Sequence, residues 1–211
     1  MLENKFDIQD LYSGLFSDGM DRLGYRNQII SGFQRNQKLL RFMGRVRTLE
    51  IETGNIEDEN LSLTLNFIES LNKGDVLVVK GCEHAYFGEM MTRLCLRQGI
   101  EGVVIDGTTR DTMFTHDNCP LPIVAKGYSP QDIKGRGRAK AVDVPIEING
   151  IKLEPGNLVF VDNDAVCVVP KELEEKLEND ISNGIKEEEK IVSLINSGAS
   201  VSEILEKIKT F

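Results

Sequence analysis

An arginine followed at once by an aspartate, Arg110-Asp111, is the pair in this sequence with the most chemistry to offer. A guanidinium presents a planar fork that can hold a carboxylate through two hydrogen bonds. The neighbouring carboxylate can give a hard cation one oxygen ligand and leave its other positions to water and substrate. The plainer reading is a surface arginine and an aspartate that caps the next helix, and the pair alone does not separate the two. The second candidate is the loop Lys80 to Gly88 (KGCEHAYFG), which precedes a helical pattern opening at Gly88-Glu89-Met90-Met91. Free N–H groups in a first turn, with the positive end of the helix dipole, favour a carboxylate or phosphate there. Such helix starts are common, so spacing alone favours a simple turn at Gly88 with Glu89 complementing the dipole.

Both candidates depend on the elements that carry them. Asp75 to Lys80 (DVLVVK) is a continuous apolar run, Glu89 to Gln98 (EMMTRLCLRQ) has helical spacing closed by Gly99, and Gly102 to Asp106 (GVVID) is apolar again. Strand, helix, strand in that order predicts a βαβ unit with parallel strands. Ligand sites in such sheets lie beyond the carboxyl ends of the strands, so the loop Asp106 to Asp111 and the helix start at Gly88 are expected to share one cleft. Upstream, Ile8 to Leu23 reads as one or two short helices, Arg41 to Ile51 alternates like a strand, and Leu61 to Asn72 returns to helical spacing before Gly74. Downstream, LPIVAK, AVDVPIEI and NLVFVDNDAVCVVP read as strands, the last folded at an Asn163-Asp164 turn. From Lys171 the apolar Leu173, Leu177, Ile181 and Ile185 recur every four residues, and Ser200 can cap a final helix ending near Phe211. The class is α/β, one domain over 1–211, with 170–211 as a helical tail.

Bulk properties narrow the function. With 40% hydrophobic and 28% charged residues the chain has globular composition. Against 34 acidic side chains stand 25 basic ones, so a net charge of −9 disfavours nonspecific binding to nucleic acid. The first residues, MLENKFDIQDLYSGLF, form neither a signal peptide nor a membrane span, and a cytoplasmic location is expected. Cys82, Cys95, Cys119 and Cys167 lack any CxxC pairing, and Cys95 and Cys167 read as core residues. With only His84 and His116, a bound metal must lean on oxygen ligands, which points to magnesium or manganese. Either histidine could donate to a substrate, but with nothing to place a partner beside them both read as structural or exposed. The run Gly135-Arg136-Gly137-Arg138-Ala139-Lys140 reads as a solvated loop or an intersubunit contact.

Glu89, twenty intervening residues and then Arg110-Asp111 resembles the acidic-X20-Arg-Asp signature of the family that contains 4-hydroxy-4-methyl-2-oxoglutarate aldolase and the regulator of ribonuclease activity A. The flanks agree in order: GDVLVV at Gly74, FGEMM at Phe87, GVVIDGTTRD at Gly102 and VDVPIEINGIKLEPGNLVFVDNDAVCVVP at Val142. The resemblance implies a layered β/β/α swivelling-domain-like fold, assembled as a homotrimer or hexamer with sites between subunits. It implies that the backbone amides of Gly88, Glu89, Met90 and Met91 meet the carboxylate of a small 2-oxo acid substrate, that Arg110 binds that substrate, and that Asp111 ligates a divalent metal. It also implies that Glu89 takes a proton through water, where the aldolases usually have aspartate. The expected reaction is class II aldol cleavage to pyruvate, with oxaloacetate decarboxylation as a natural second activity of the same enolate. The cluster Glu187-Glu188-Glu189 is either an exposed helix face or the source of a carboxylate sent across a subunit boundary. A rival reading is a non-catalytic regulator that binds a ribonuclease or helicase.

Overall fold

The computed structural model describes residues 2, 5–116 and 119–208. After a 3-10 turn at Ile8–Asp10, helix α1 (Ser13–Arg22) leads into two short strands, β1 (Ile29–Ile30) and β2 (Gln34–Arg35), and then into the long β3 (Phe42–Thr53). The predicted βαβ unit follows α2 (Leu61–Glu69): β4 (Asp75–Lys80), α3 (Glu89–Gln98) and β5 (Gly102–Thr109), with Gly99 closing α3 in the left-handed conformation. The single turn α4 (Thr112–Thr115) joins β5 to β6 (Ile123–Tyr128). Strands β3, β4, β5 and β6 pair in parallel, in that spatial order. Their continuous apolar runs are explained by burial on both faces: Leu77 and Val79 point to one core cluster, Val76 and Val78 to the other.

Beyond β6 the sequence reading needs correction. AVDVPIEI is not one strand, because β7 (Gly137–Val142) ends where Asp143 turns to φ 48°, and β8 (Ile146–Ile148) starts a separate hairpin with β9 (Ile151–Leu153). The hairpin turn is Asn149-Gly150, both at positive φ, the backbone that a two-residue turn of this hand requires. The run Gly135 to Lys140 is largely strand, not a solvated loop. Gly137 and Ala139 face inward, while Arg138 and Lys140 point out to pair with Glu52 at 2.5 Å and Glu50 at 3.0 Å on β3. The antiparallel hairpin β10 (Leu158–Val161) and β11 (Val166–Val169) turns through Asn163-Asp164 as expected, and β10 continues the sheet beside β3.

Three layers result. Helices α2 and α3 cover one face through Phe67, Ile68 and Cys95. On the other face the sheet curls, so that β10 and β11 and the β8–β9 hairpin enclose Val76, Val78, Val104 and Val124. This is the β/β/α layering that the family resemblance implied. The outer side of β10 and β11 is covered by α1 and by α5 (Glu174–Asn196), through Leu15, Phe16, Leu177 and Ile181. Cys95 and Cys167 are core residues, both fully buried. A last helix, α6 (Val201–Ile208), opens on a capping box in which Ser200 and Glu203 exchange hydrogen bonds; its expected end near Phe211 lies outside the described residues. Among the described residues no helix is long and apolar enough to cross a membrane.

Packing of α1 on the sheet centres on one aromatic pair. Phe16 stacks on Phe160 with ring centroids 4.5 Å apart, and both side chains are fully buried. Phe160→Ala is expected to cost about 3–5 kcal/mol, from lost burial and the cavity left behind, read as a fall in the denaturant midpoint. A loss below about 1 kcal/mol would mean that α1 adjusts to fill the space.

Candidate functional site

The segment Asp106 to Asp111 is strand as far as Thr109, where the sequence suggests a loop directly after Ile105. Past a register shift between Ile105 and Thr108, β5 exchanges its neighbour β4 for the chain that follows β4. Gly107 makes the crossing feasible, since a Cβ there would stand 2.5 Å from the Cys82 nitrogen. The Thr108 N–H donates to Cys82 O at 2.8 Å, its hydroxyl donates to Glu83 O at 3.0 Å, and the Thr109 hydroxyl donates to Phe87 O at 2.9 Å. Held along β5 in this way, the loop delivers Gly88 and the start of α3 against Arg110 and Asp111. The two candidates read from sequence therefore meet in space.

Their contact is closer than a shared cleft. The backbone N–H of Glu89 donates to Asp111 Oδ2 at 2.9 Å, so the carboxylate caps α3 from another element. Asp111 stands at the N-cap position of α4, yet its side chain makes no capping bond there, which overturns the reading of a local helix cap. Its backbone is left-handed, φ 61° and ψ 43°, a conformation that asparagine and aspartate enter more readily than other side chains and that persists only where its surroundings hold it. Gly88 is required by the close approach: a Cβ there would lie 2.4 Å from Asp111 Oδ2 and 2.9 Å from Arg110 Cγ. Gly88→Ala is expected to push the carboxylate out of place and, in the lyase that the resemblance implies, to lower turnover by about tenfold or more, the scale for a misplaced reacting group. Thermal unfolding of the variant should change little, and unaltered activity would show that the contact yields freely.

Arg110 is about one-third exposed, and its Nη1 donates to Asp132 Oδ2 at 2.5 Å while Nε stands 3.7 Å from Asp111 Oδ2. Burial works to raise the Asp132 carboxyl, but the Lys134 N–H and the Arg110 guanidinium outweigh it and hold the group below its usual range. Asp132, which fixes the direction of Arg110, was missed in the sequence. It lies in a loop that reaches the site because Gln131 O accepts the Ala85 N–H at 2.8 Å, and no local pattern marks such a contact. Glu89 turns its carboxylate along α3 to Arg93 at 2.7 Å, and the Arg93 guanidinium stacks 4.1 Å from the centroid of Phe114. Met90 is exposed, whereas the Met91 side chain enters the core, so that only its backbone is offered to the site. With the Glu89 N–H taken by Asp111, the N–H groups of Met90 and Met91 are the donors of this first turn that have no partner among the described residues.

The remaining candidates fall elsewhere. His116 Nε2 lies 2.9 Å from the Tyr128 hydroxyl, beyond α4, so it has a structural partner that the sequence did not reveal. His84 sits in the site loop with a buried Nδ1 that has no partner among the described residues, and Nε2 is 3.6 Å from the Glu83 carboxylate. Glu188, in the Glu187 to Glu189 cluster, sits beside the hydroxyl of Tyr12; burial first and this carboxylate second raise that phenol's pKa. A cleft of about 610 Å³ lies at the opposite, amino-terminal end of the parallel strands, lined in part by Arg45, Lys73 and Glu101. Arg45 there is tied to Glu174, so its charge is already matched.

A hard divalent cation fits the residues present in one way. Asp111 Oδ2 is held by the Glu89 N–H, while Oδ1 has no partner among the described residues and the side chain is 41% exposed. Among the described residues no group of three or more His, Cys, Asp or Glu side chains could enclose a metal. A metal here would be bound by one carboxylate and completed by water and substrate, an arrangement familiar for magnesium.

Residues 13–168 match a family model described as RraA-like, Aldolase/RraA. The 4-hydroxy-4-methyl-2-oxoglutarate aldolase of Thermus thermophilus is 32% identical over 134 residues, covering 62% of this chain and 77% of that protein. The structure of an uncharacterized protein from Pseudomonas syringae superposes with a TM-score of 0.80 at 27% identity, covering 93% of this chain and 95% of the other. Streptomyces coelicolor RraAS2, titled an unusual member of the RNase ES inhibitor RraA protein family, has a TM-score of 0.76 at 25% identity over 86% of this chain and 93% of that one. The match spans every strand of the curled sheet except the last residue of β11, together with the Gly88 turn and Arg110-Asp111, and the chain belongs to the RraA-like family.

Proposed function

We propose that the chain is a divalent-metal-dependent lyase that cleaves 2-oxo acids of the 4-hydroxy-4-methyl-2-oxoglutarate type to pyruvate, with oxaloacetate decarboxylation as a second activity. The observation that carries this reading is the half-engaged carboxylate of Asp111, one oxygen fixed by the start of α3 and the other open, beside an oriented Arg110. The names of the aldolase relatives support it. The Nη2 edge of Arg110 has no partner among the described residues and would hold the substrate carboxylate and the charge that develops on the 2-oxo oxygen. The N–H groups of Met90 and Met91, at the positive end of α3, would take part of the same carboxylate. Glu89 binds Arg93 through Oε1, and Oε2 has no partner among the described residues, so it would accept the 4-hydroxyl proton through a water as the carbon–carbon bond breaks. Magnesium or manganese held through Asp111 would supply the further positive charge that stabilises the pyruvate enolate.

Met90 and Met113, 74% and 99% accessible beside the site, and the exposed Val192, Ile195, Val201, Leu205 and Ile208 of the tail, beyond the stripe that packs on α1, support assembly as a homotrimer or hexamer. A cytoplasmic location belongs to the same proposal. The likeness to a structure titled as an RNase ES inhibitor relative supports a second reading, in which the chain binds and masks a ribonuclease or helicase. Pyruvate release separates them. The purified protein is expected to produce pyruvate from 4-hydroxy-4-methyl-2-oxoglutarate and from oxaloacetate with magnesium or manganese, and to stop after chelation. Release that survives thorough chelation counts against the metal. Absence of release from either acid, with binding to a purified ribonuclease, carries the regulator reading instead.

A further inference from the structure

Arg93 is a cation beside the site with no part in binding the near end of the substrate. It lies on α3 one turn beyond Glu89, and its side chain is 60% exposed. Phe114, on the helix that Asp111 opens, presents its ring 4.1 Å from the guanidinium carbon. Nε and Nη2 converge on one oxygen, Glu89 Oε1, at 2.8 and 2.7 Å. A guanidinium carries five N–H donors in a rigid fork, so this geometry leaves Nη1 open, and among the described residues it has no partner. The Phe114 ring restricts the guanidinium, which belongs to a side chain 60% exposed, unlike an exposed ion pair that stands alone.

Two guanidinium groups thus flank the first turn of α3. Arg110 stands against Gly88, where a Cβ would be 3.3 Å from its Nε, and Arg93 lies five residues further, about 7.5 Å along the axis. A substrate held at its 2-oxo acid end by Arg110 and the Met90 and Met91 amides could extend over Glu89 toward Arg93. A second carboxylate placed there would face the charge of Glu89 alone if Arg93 were absent, and like charges at that range repel. With Arg93 present, Glu89 is neutralised and the open Nη1 edge offers charge-assisted donors. We propose that Arg93 is a specificity-determining residue, binding the distal carboxylate of a dicarboxylic 2-oxo acid. The inference rests on the lyase reading for the orientation of the substrate, and its test does not require turnover.

The test is calorimetric binding of 2-oxoglutarate and of 2-oxopentanoate, equal in carbon count with the distal carboxylate replaced by methyl, to the intact protein with magnesium. The parent is expected to prefer the dicarboxylate by about tenfold or more, the size of one charge-assisted contact. Arg93→Gln should reduce the preference to within about twofold and leave 2-oxopentanoate affinity unchanged, while Arg93→Lys should keep part of it. Equal binding of the two acids by the parent overturns the proposal, as does failure to bind either. A preference that survives in Arg93→Gln overturns it too, and so does a parallel loss of both affinities, which would mean that Arg93 only supports the fold or Glu89. If the preference behaves as expected while no dicarboxylic 2-oxo acid yields pyruvate, the lyase reading fails and the role of Arg93 stands.

Discussion

Asp111→Ala should bring metal-dependent pyruvate release to background, about a thousandfold or more below the parent, which corresponds to the several kcal/mol of charge stabilisation that a positioned cation supplies. Among the described residues no other acidic or histidine cluster could retain the ion, so the loss has nowhere to be compensated. Alanine also forfeits the bond to the Glu89 N–H and sits poorly at φ 61°, and together these cost about 1–3 kcal/mol of stability. Asp111→Asn separates the two effects. Its amide oxygen can still accept from Glu89 and asparagine tolerates the left-handed backbone, so the fold should keep nearly its full stability while turnover falls almost as far. Metal affinity by titration, pyruvate release and thermal unfolding of both variants decide the matter. A turnover near parental in either variant would remove Asp111 from the metal's coordination.

Those expectations draw on what the sequence made legible and on what it hid. The βαβ unit could be read because β4 is buried on both faces, which leaves DVLVVK without a polar interruption, and because Gly99 can only be a helix end there. Ser200 and Glu203 likewise carry their capping box in the letters themselves. The Asn149-Gly150 turn had an equally clear signal, an Asn-Gly pair between alternating apolar residues, and merging its first strand with Ala141 and Val142 concealed it. Strands β1 and β2 had no signal, since two residues show no period and their pairing is decided by Cys167 and Ala125 far along the chain. The candidate site divides in the same way. Gly88, Glu89, Arg110 and Asp111 stood out by type and order, but the Asp111 bond to the Glu89 N–H, the Asp132 brace on Arg110 and the Phe114 stack on Arg93 join residues 21 or 22 apart through folded backbone. Local pattern cannot show which carboxylate an arginine will meet.

The Asp132 brace sets the terms of the other large effect, that of Arg110→Lys. In the proposed lyase the guanidinium would serve two directions at once, with Nη1 committed to Asp132 at 2.5 Å and Nη2, which has no partner among the described residues, available to substrate. An ammonium has one nitrogen to serve both, and beside Asp132, a carboxylate held ionised below its usual range, that nitrogen will be captured by the protein. The variant therefore retains a positive charge in the site while losing the donor aimed at the reacting end. Turnover efficiency should fall by about 30- to 1000-fold, equivalent to ~2–4 kcal/mol for a lost transition-state donor. Much of the loss should appear in kcat, because the 2-oxo oxygen is more negative in the enolate-like transition state than in the bound substrate. Metal affinity should stay near parental, since Asp111 keeps its bond to the Glu89 N–H. Adding Asp132→Asn to Arg110→Lys should restore a part of the lost rate by releasing the ammonium toward the substrate. A rise in KM with kcat untouched would reduce Arg110 to a binder of the ground state. A fall in metal affinity matching the fall in rate would show that the two neighbouring residues share one role where the scheme gives them two.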